Sequence, residues 1–514
     1  MRRIALALLV SLLALAAGAE PLRVGSKRFT ESYLLGEVLT QVSRRAGVAA
    51  EHRPGLGNTA IVFEALRRGE IDAYPEYTGT IAKEILKAAD TPDLAEINRR
   101  LAPLGLAASV PLGFSNGYAL GMLEARAKAL GIASLSDLSK HPGLSLGLSH
   151  EFLRREDGWP GLRAAYGLKP GDPRGLDHGI AYEALAAGQV DAIDLYTTDA
   201  KISRLGIRVL ADDRGFFPRY DAVVLHRADA PSRHPQAFAA WASLQGRIDE
   251  ATMIRLNGRA ELDRMDFAAV AGEFLGSPSA GASRGLWPAV FAPDFGRLAG
   301  QHAWLVFASL AFAVAVGVPM GIAAFRIAAL AQPLLATAGL LQTIPSLALL
   351  AILIPLTGIG AVPAMIALFL YALLPIVRNT HAGLAGVPAG YRDAALALGF
   401  TRGQSLARIE LPLALPMILA GVKTAAVVNV GTATIAAFVG AGGFGERITQ
   451  GLAVNDSQLL LAGALPAAGM ALAVHALFEW AESRSWWGPR GGSSGADSPG
   501  DARPGPRSNG GALS

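Results

Sequence analysis

Five long apolar segments in the second half of the chain restrict what it can fold into. Each is long enough to cross a hydrocarbon core of about 30 Å as a helix. They lie at residues 302–325, 329–356, 361–384, 413–439 and 458–480. Pro345, Pro355, Pro363 and Pro375 would break helices of a soluble protein but are tolerated in a membrane bundle. We therefore predict an all-α transmembrane domain over residues 301–484, with one span for each apolar segment.

Residues 20–275 have the composition of a water-soluble domain. Charged residues are frequent there, and short β-like runs alternate with helical stretches. The runs are Leu22–Gly25, Ile71–Tyr74, Ser145–Leu148 and Val190–Ile193. This alternation predicts an α/β domain with a largely parallel sheet. About 255 residues are enough for two lobes, each with its own hydrophobic core.

The first 19 residues have the pattern of a secretory signal peptide. Arg2 and Arg3 precede an apolar run that extends to Ala17, and the small residues around Gly18 form a cleavage site. The run has about 14 residues, whereas a membrane span needs about 20, which favours cleavage before Glu20 over retention as an anchor. We therefore expect residues 20–275 to be exported.

Arginine residues indicate the orientation of the membrane domain. Arg326 follows the first apolar segment, and four arginines from Arg378 to Arg408 lie at the end of the third segment and in the loop after it. The positive-inside rule places both loops in the cytoplasm. Residues 356–362 contain no charge and are expected on the outer side. The pattern predicts a multi-pass protein of a bacterial inner membrane, surrounded by lipid, with its α/β domain outside.

Two stretches have the composition of linkers. Residues 276–286 are small and polar, which predicts a flexible connection over about residues 276–300. Residues 485–514 are rich in Gly, Ser and Pro and predict a disordered cytoplasmic tail.

The composition argues against several functional classes. Lys and Arg total 46 and Asp and Glu total 42, and this net charge of +4 is not typical of a nucleic-acid-binding protein. No cysteine is present, which excludes disulfides and thiolate ligands. No H-E-x-x-H motif occurs, and nothing fixes the separation of Glu31 and Glu76 as paired catalytic carboxylates. We expect no catalytic residues, no metal and no cofactor.

The loop after the third apolar segment resembles the EAA loop of ABC-transporter permeases, a short helix that docks in a groove of the cytoplasmic ATPase. The matching positions are Asp393, Ala394, Gly399, Ile409, Leu411 and Pro412. Asp393 stands where the family usually has Glu. The resemblance implies an ABC ATPase as a partner of this segment, Asp393–Pro412, which we call the coupling loop.

That ATPase is expected to be a separate subunit. A G-x-x-x-x-G-K-[ST] loop is needed to hold nucleotide phosphates, and no lysine of this chain follows a glycine. Five spans make half of a transport pathway, so we also expect a homodimer with its two-fold axis along the membrane normal.

Four segments of the exported domain resemble substrate-binding proteins of the glycine betaine/carnitine/choline family. They lie at residues 25–31, 74–80, 151–158 and 216–220, and the resemblance extends over residues 22–275. Residues 302–480, which include the glycine-rich stretch 440–445 and residues 463–466, resemble the permease of the same family. The resemblance implies a two-lobed periplasmic-binding-protein fold joined to its own permease in one polypeptide.

The resemblance also implies the residues that bind the ligand. A quaternary ammonium group would be surrounded by a tyrosine cage formed by Tyr77, Tyr118, Tyr196 and Tyr220. Aromatic faces suit this group because it cannot donate hydrogen bonds, and each contributes roughly 0.5–2 kcal/mol when desolvated. A ligand carboxylate would be bound by Lys27, Arg155 and the Thr80 hydroxyl, and Arg155 can pair with it through two hydrogen bonds.

Other polar and aromatic residues near these motifs are expected to have structural roles. Half-buried packing is expected for Tyr33, Tyr74, Tyr166 and Tyr182. Capping or core hydrogen bonds are expected for Asp157, His178, Asp199 and Asp221.

The sequence therefore predicts an ABC importer subunit for a betaine-like quaternary ammonium zwitterion. Glycine betaine, proline betaine, carnitine and choline are the candidate ligands, and osmoprotection is one role that such uptake could have. Lys27, Arg155 and Thr80 favour a ligand with a carboxylate over choline. Two alternatives remain: an ergothioneine importer of the same architecture, and a membrane receptor that senses a solute without transporting it.

Overall fold

The computed structural model describes residues 20–169, 172–277, 285–454 and 456–484. The predicted signal peptide, residues 1–19, and the predicted tail, residues 485–514, lie outside the described residues. The chain forms two lobes, each built on a five-stranded sheet, followed by a bundle of helices. This architecture confirms the predicted fold class, an α/β two-lobed binding-protein fold followed by an all-α transmembrane permease domain.

Both lobes contain a largely parallel sheet. The strands are β1 (Leu22–Lys27), β2 (Ala50–Gly57), β3 (Ala73–Tyr77), β4 (Leu106–Ser109), β5 (Tyr118–Leu123), β6 (Leu146–Ser149), β7 (Arg174–Leu176), β8 (Ala192–Tyr196), β9 (Ile207–Val209) and β10 (Ala222–Arg227). The first sheet has the order β2-β1-β3-β10-β4 and the second the order β7-β6-β8-β5-β9. In each sheet one strand, β10 or β5, runs antiparallel to both of its neighbours.

Helices cover the faces of both sheets. In the first lobe they are Thr30–Arg45, Thr59–Arg67, Thr78–Thr80 continuing into Ile81–Ile85, Leu94–Leu101, Ala230–Arg233, Pro235–Trp241, Glu250–Glu261 and Phe267–Phe274. In the second lobe they are Glu124–Leu130, Leu135–Leu138, Trp159–Tyr166, His178–Ala186 and Lys201–Leu205. The longest, Thr30–Arg45, buries Leu35, Val38, Leu39 and Val42 on one face, the spacing expected for an amphipathic helix.

The chain crosses between the two lobes twice. Residues 110–117 lead from β4 to β5, and residues 210–221 return from β9 to β10. The two crossings lie side by side, since Ser115 and Asp221 form an isolated antiparallel bridge. The cleft between the lobes is therefore bounded by both crossings.

The membrane domain consists of long apolar helices joined by short ones. They are Phe295–Arg326, Ala328–Thr343, Ser346–Thr357, Ala361–Ala385, Ala389–Ala397, Arg402–Ser405, Leu411–Thr432, Gly445–Val454 and Ser457–Arg484. Within the described residues, four helices are long and apolar enough to cross a membrane, or up to five if one bent pair counts as a span.

The bent pair occupies residues 329–356, the predicted second span, so this segment is broken and does not form one continuous helix. Ala328–Thr343 and Ser346–Thr357 meet at an angle of 96°. The break follows from Pro345, which has no N–H to donate and disfavours the helical conformation at Ile344. The Ile344 carbonyl, left without a helical partner, accepts a hydrogen bond of 2.5 Å from the Tyr371 hydroxyl.

The predicted linker 276–300 contains helices after Gly285. Leu286–Val290 forms a short helix, and the first long helix already begins at Phe295. Arg447 holds this region, because it donates to the carbonyl of Val290 at 2.8 Å and to Asp294 at 2.6 Å. The segment is therefore packed on the permease domain.

Small residues bring two long helices of the bundle together. A Cβ at Gly321 in Phe295–Arg326 would lie 2.5 Å from Thr380, and one at Gly317 would lie 2.9 Å from Ile376. Both partners lie on Ala361–Ala385. Close approach through glycine is typical of helix packing in membranes.

The first lobe and the coupling loop lie at opposite ends of the bundle. Arg68 donates to the Pro355 carbonyl at 3.0 Å, and Glu70 accepts from the Ile359 amide at 3.1 Å, next to the start of Ala361–Ala385. At the other end of the bundle, Arg326 donates to the Arg402 carbonyl at 2.8 Å. Both contacts of the first lobe with the bundle are therefore separated from the coupling loop by the length of the membrane helices.

Candidate ligand-binding site

A cavity of about 550 Å³ lies between the two lobes. It is lined by all seven residues predicted to bind the ligand: Lys27, Tyr77, Thr80, Tyr118, Arg155, Tyr196 and Tyr220. They come from the first lobe, from the second lobe and from the second crossing. The structure thus brings together residues that are up to 193 positions apart in the chain (220 − 27).

The four tyrosines surround one side of this cavity. Tyr118 and Tyr196 are directly opposite each other on β5 and β8, with ring centroids 5.2 Å apart. Tyr220 meets Tyr118 edge to face at 5.7 Å. A fifth ring, that of Phe29, lines the cavity 5.2 Å from Tyr196 and 6.3 Å from Tyr77. The sequence analysis missed Phe29, although it lies two residues after Lys27 in a motif that was singled out.

The hydroxyl groups of two tyrosines are held by buried carboxylates. Tyr77 donates to Glu31 at 2.6 Å, and Tyr220 donates to Asp157 at 2.7 Å. Burial and the neighbouring carboxylate raise the pKa of each phenol. Both tyrosines therefore stay protonated and have fixed ring orientations.

The two cations of the site are already paired with carboxylates. Lys27 Nζ lies 2.6 Å from Glu76 Oε1 and 5.0 Å from the centre of the Tyr77 ring. Arg155 does make the bidentate pair that its chemistry allows, but with Asp157, at 2.8 and 2.6 Å. A ligand carboxylate would therefore have to share or replace one of these partners.

The remaining contacts of Arg155 are longer. Its Nη1 lies 3.3 Å from Glu151, and its Nη2 donates to the Thr80 hydroxyl at 3.4 Å. The Glu151 side chain is 24% exposed, whereas that of Asp157 is 3% exposed. Glu151 is thus the partner of Arg155 that is most accessible to exchange.

The four residues expected to make capping or core hydrogen bonds have the following partners. Asp157 pairs with Arg155 as described, and Asp221 pairs with Arg219 at 2.8 Å. His178 Nε2 lies 2.9 Å from Asp199, which also accepts from the Tyr196 amide at 3.0 Å.

His178 also lines the cavity, with its ring 4.5 Å from that of Tyr196. Burial opposes its protonation, but the hydrogen bond to Asp199 and the attraction to Asp199, Asp194 and Glu261 together raise the pKa of His178. His178 thus makes a buried hydrogen bond of the kind predicted for it, and its ring also packs at a tilt against the cage. The only indication in the sequence that His178 lies at the cage is its nearness to the binding motifs.

The tyrosines assigned to packing lie outside the lining of the cavity. Tyr33 and Tyr74 are fully buried in the first lobe. Tyr182 donates to Asp199 at 2.6 Å, and Tyr166 donates to Asp212. Within the described part of the chain, no group of three or more His, Asp or Glu side chains is arranged to hold a metal ion.

The coupling loop forms two short helices at the far end of the bundle. Asp393 and Ala394 are exposed on the helix Ala389–Ala397. Gly399 follows this helix and has φ +82°. A positive φ is typical of the glycine that terminates a helix. Ile409 lies in the turn before Leu411–Thr432, whose first two residues are Leu411 and Pro412.

Three large side chains of this loop region lie at the surface. Tyr391 and Leu396 are each 54% exposed and Leu398 is 76% exposed. Ala395, in the same helix, is buried. The region is anchored to the bundle by Arg326, whose Nη2 lies 3.2 Å from Glu410. An exposed apolar face on a held helix is suited to bind another protein.

Two family models match the chain. Residues 20–277 match the substrate binding domain of the ABC-type glycine betaine transport system. Residues 313–486 match the binding-protein-dependent transport system inner membrane component.

Curated relatives match either the permease part or a longer part of the chain. An osmoprotectant import permease protein of Salmonella typhimurium is 48% identical over 170 residues, which are 32% of this chain and 79% of that protein. A choline transport system permease protein of Bacillus subtilis is 42% identical over 184 residues, 36% of this chain and 81% of that protein. An ergothioneine transport permease/ergothioneine binding protein of Helicobacter pylori is 33% identical over 266 residues, 50% of this chain and 47% of that protein.

Proposed function

Because this chain belongs to the family of substrate-binding domains of ABC-type glycine betaine transport systems, and continues into an inner-membrane permease component, we propose that it imports a betaine-like quaternary ammonium zwitterion. The chain is a multi-pass inner-membrane protein of a transporter family, with its binding domain on the extracytoplasmic side. Glycine betaine, proline betaine, carnitine and choline are the proposed ligands. The observation that carries this proposal is the set of five aromatic rings around one cavity between the lobes.

The rings suit a trimethylammonium group for a physical reason. This group has no N–H to donate, so polar side chains cannot replace its hydration shell. Aromatic faces attract it through their quadrupoles, at roughly 0.5–2 kcal/mol each when desolvated. Tyr77 and Tyr220 are pre-oriented by their hydrogen bonds, which reduces the entropy lost on binding.

We propose that a ligand carboxylate binds beside Arg155 in place of Glu151. Glu151 is the more exposed and more distant of the two carboxylates on this arginine. The Thr80 hydroxyl accepts from Arg155, so its own proton can be donated to the ligand. Lys27 would contribute its charge while it remains paired with Glu76.

An ergothioneine importer is the second candidate. It is favoured by the similarity to the fused ergothioneine protein of Helicobacter pylori, which combines binding and permease functions in one chain. Ergothioneine has the same trimethylammonium and carboxylate groups, so the cage and Arg155 would be used in the same way. The larger ring of that ligand would need more of the cavity than glycine betaine does.

We also propose two protein partners. A separate cytoplasmic ABC ATPase would cover Tyr391, Leu396 and Leu398 and contact Asp393 at the surface of the coupling loop. A second copy of the chain would complete the transport pathway as a homodimer. A receptor that signals without transport would not need this exposed apolar face.

Calorimetric titration of the full chain in lipid nanodiscs tests the ligand. Glycine betaine, choline, carnitine and ergothioneine would be compared, with the Tyr196→Ala variant as control. Binding of a zwitterion that the variant loses supports the proposal. Binding of choline alone would remove the carboxylate role of Arg155, and failure of all four ligands would overturn the proposed function.

A further inference from the structure

Glu31 is a buried carboxylate beneath the cage. Its residue is 2% exposed, and no Lys, Arg or His among the described residues lies within 4.0 Å of its oxygens. The two cations predicted to bind a ligand carboxylate are both neutralised, Lys27 by Glu76 and Arg155 by Asp157. Glu31 is thus a carboxylate of the cage region that has no cationic partner of its own.

Four side chains donate hydrogen bonds to this carboxylate. Tyr77 and Asn116 donate to Oε1 at 2.6 and 2.9 Å, and Thr198 and Asn257 donate to Oε2 at 2.6 and 3.2 Å. Donated hydrogen bonds favour the ionised form. Burial acts in the opposite direction and raises the pKa of Glu31. A cation bound in the adjacent cavity would favour ionisation again.

The donors come from every part of the binding domain that meets at the cleft. Tyr77 ends β3 in the first lobe, and Asn257 lies on Glu250–Glu261 of the same lobe. Asn116 lies on the first crossing, and Thr198 follows β8 in the second lobe. The full set of donors is therefore complete only when the two lobes are in this arrangement.

One ring separates Glu31 from the cavity. Tyr77 lines the cavity with its ring and donates its hydroxyl proton to Glu31. Donation to a carboxylate increases the electron density of a phenol ring, which strengthens its attraction for a cation. The charge itself also acts across the ring, because little water is present to screen it.

We propose that Glu31 determines charge selectivity: its unpaired negative charge, acting through Tyr77, makes the cage prefer a positively charged head group over an uncharged group of the same shape. This inference rests on the proposed function and specifies which feature of the ligand the site reads. It assigns to Glu31 a positioning and electrostatic role, since Glu31 does not line the cavity itself.

Matched ligand pairs test this role. Choline would be compared with 3,3-dimethylbutan-1-ol, and glycine betaine with 3,3-dimethylbutanoate, in which carbon replaces the charged nitrogen. The ratio of the two affinities measures charge selectivity separately from shape. A merely structural defect lowers both affinities and leaves this ratio unchanged.

The variants are studied in the full chain in lipid nanodiscs. Glu31→Gln removes the charge, and we expect the affinity ratio to fall by roughly tenfold or more. Glu31→Asp keeps the charge on a shorter side chain, and Thr198→Val removes one donor and keeps the charge. We expect both of these variants to retain the ratio to within about threefold.

Each outcome decides the inference. The inference is overturned if Glu31→Gln leaves the affinity ratio unchanged. It is also overturned if Glu31→Asp loses the affinity ratio as Glu31→Gln does. In either case Glu31 has a structural role. Wild-type protein that binds both members of a pair equally would also overturn the inference, while the proposed function would stand. Wild-type protein that binds neither pair, and neither carnitine nor ergothioneine, would overturn the proposed function. If Glu31→Gln does not fold, loss of the affinity ratio in Glu31→Asp or Thr198→Val, which both keep the charge, would still overturn the inference.

Discussion

The guanidinium of Arg28 lies over the ring of Phe438, 4.3 Å from its centre, and donates a hydrogen bond of 2.8 Å to the Phe438 carbonyl. Arg28 also lines the cavity between the lobes, and its Nε donates to the Gly55 carbonyl at 3.0 Å. Phe438 belongs to the turn Ala433–Val439 of the permease domain. A single side chain therefore touches both the cavity and the permease.

We predict that Phe438→Leu impairs transport and leaves ligand affinity intact. The substitution removes the ring beneath Arg28, an attraction of roughly 1 kcal/mol, and keeps the backbone carbonyl. Uptake into proteoliposomes that contain the ATPase should fall by about fivefold, with the dissociation constant of the ligand unchanged. Phe312→Leu is the matched control, since Phe312 is 64% exposed on a membrane helix. An equal loss of affinity and transport would contradict a docking role for this contact.

We predict that Tyr196→Ala weakens binding and Tyr196→Phe does not. The alanine variant loses one aromatic face of the cage, worth roughly 0.5–2 kcal/mol or about twofold to thirtyfold in affinity. Phenylalanine retains the face. Calorimetry on the full chain measures both variants, and wild-type affinity in Tyr196→Ala would argue against the cage.

We predict that affinity for a quaternary ammonium ligand decreases on acidification. Burial lowers the pKa of His178, but the neighbouring carboxylates of Asp199, Asp194 and Glu261 together raise it above the usual value of about 6.5. Protonation places a positive charge 4.5 Å from the Tyr196 ring. The ligand cation disfavours that protonated form, so affinity should fall as pH is lowered through the raised pKa.

The stability of the fold should instead increase on acidification. A histidine whose pKa is higher in the folded than in the unfolded state stabilises the fold fully below its unfolded pKa, and this contribution is lost as pH rises through the folded pKa. Thermal unfolding of wild type and His178→Gln across this pH range measures the effect. Parallel pH profiles for the two proteins would show that His178 is not the responsible group.

We predict that Leu398→Asp abolishes association with the ATPase. Leu398 is 76% exposed on the coupling loop, five positions after Asp393. A carboxylate buried there against the ATPase without a partner would cost several kcal/mol of binding free energy, on the order of a hundredfold or more in affinity. Co-purification of the ATPase and ligand-stimulated ATP hydrolysis measure the loss. Leu104→Asp makes the same change at a side chain of the binding domain that is 43% exposed, and should retain the ATPase. Retention of the ATPase by Leu398→Asp would place its docking surface elsewhere.

We predict that Gly321→Ala destabilises the membrane bundle by about 1–3 kcal/mol. The added Cβ would lie 2.5 Å from the Thr380 side chain and 2.9 Å from the Val377 carbonyl. Gly339→Ala is the control, because a Cβ at Gly339 meets no atom within 4 Å. Thermal unfolding in detergent should separate the two variants. Similar stability for both would mean that the helices separate easily at this position.

The sequence predicted the class of each domain and the residues that meet at the cavity, because composition and motifs are local. It did not predict the partners of Lys27 and Arg155. Lys27 pairs with Glu76, 49 positions away, and this pairing depends on how β1 and β3 are placed in the sheet. Asp157 is only two positions from Arg155, but the turn between them decides whether they meet.

Two other differences have local physical causes. The predicted strand Ile71–Tyr74 overlaps β3, Ala73–Tyr77, only at Ala73 and Tyr74, since pairing with β10 covers Ala73 to Tyr77. The prolines of the membrane domain were all expected to be tolerated in spans, but the helix breaks at Pro345 and continues through Pro363 and Pro375. Whether a proline bends a helix depends on the partners available to the freed carbonyl, and Tyr371 supplies one only at Ile344.

The union of cavity and permease in one polypeptide fixes their stoichiometry. A binding protein made as a separate chain can outnumber its permease and hold a reserve of solute in the surrounding compartment. Here every cavity is tied by its own chain to one permease domain, and Arg447 holds the helix Leu286–Val290, where that domain is joined, against the membrane bundle. The amount of solute that the protein can retain therefore scales with membrane area and not with the volume outside it.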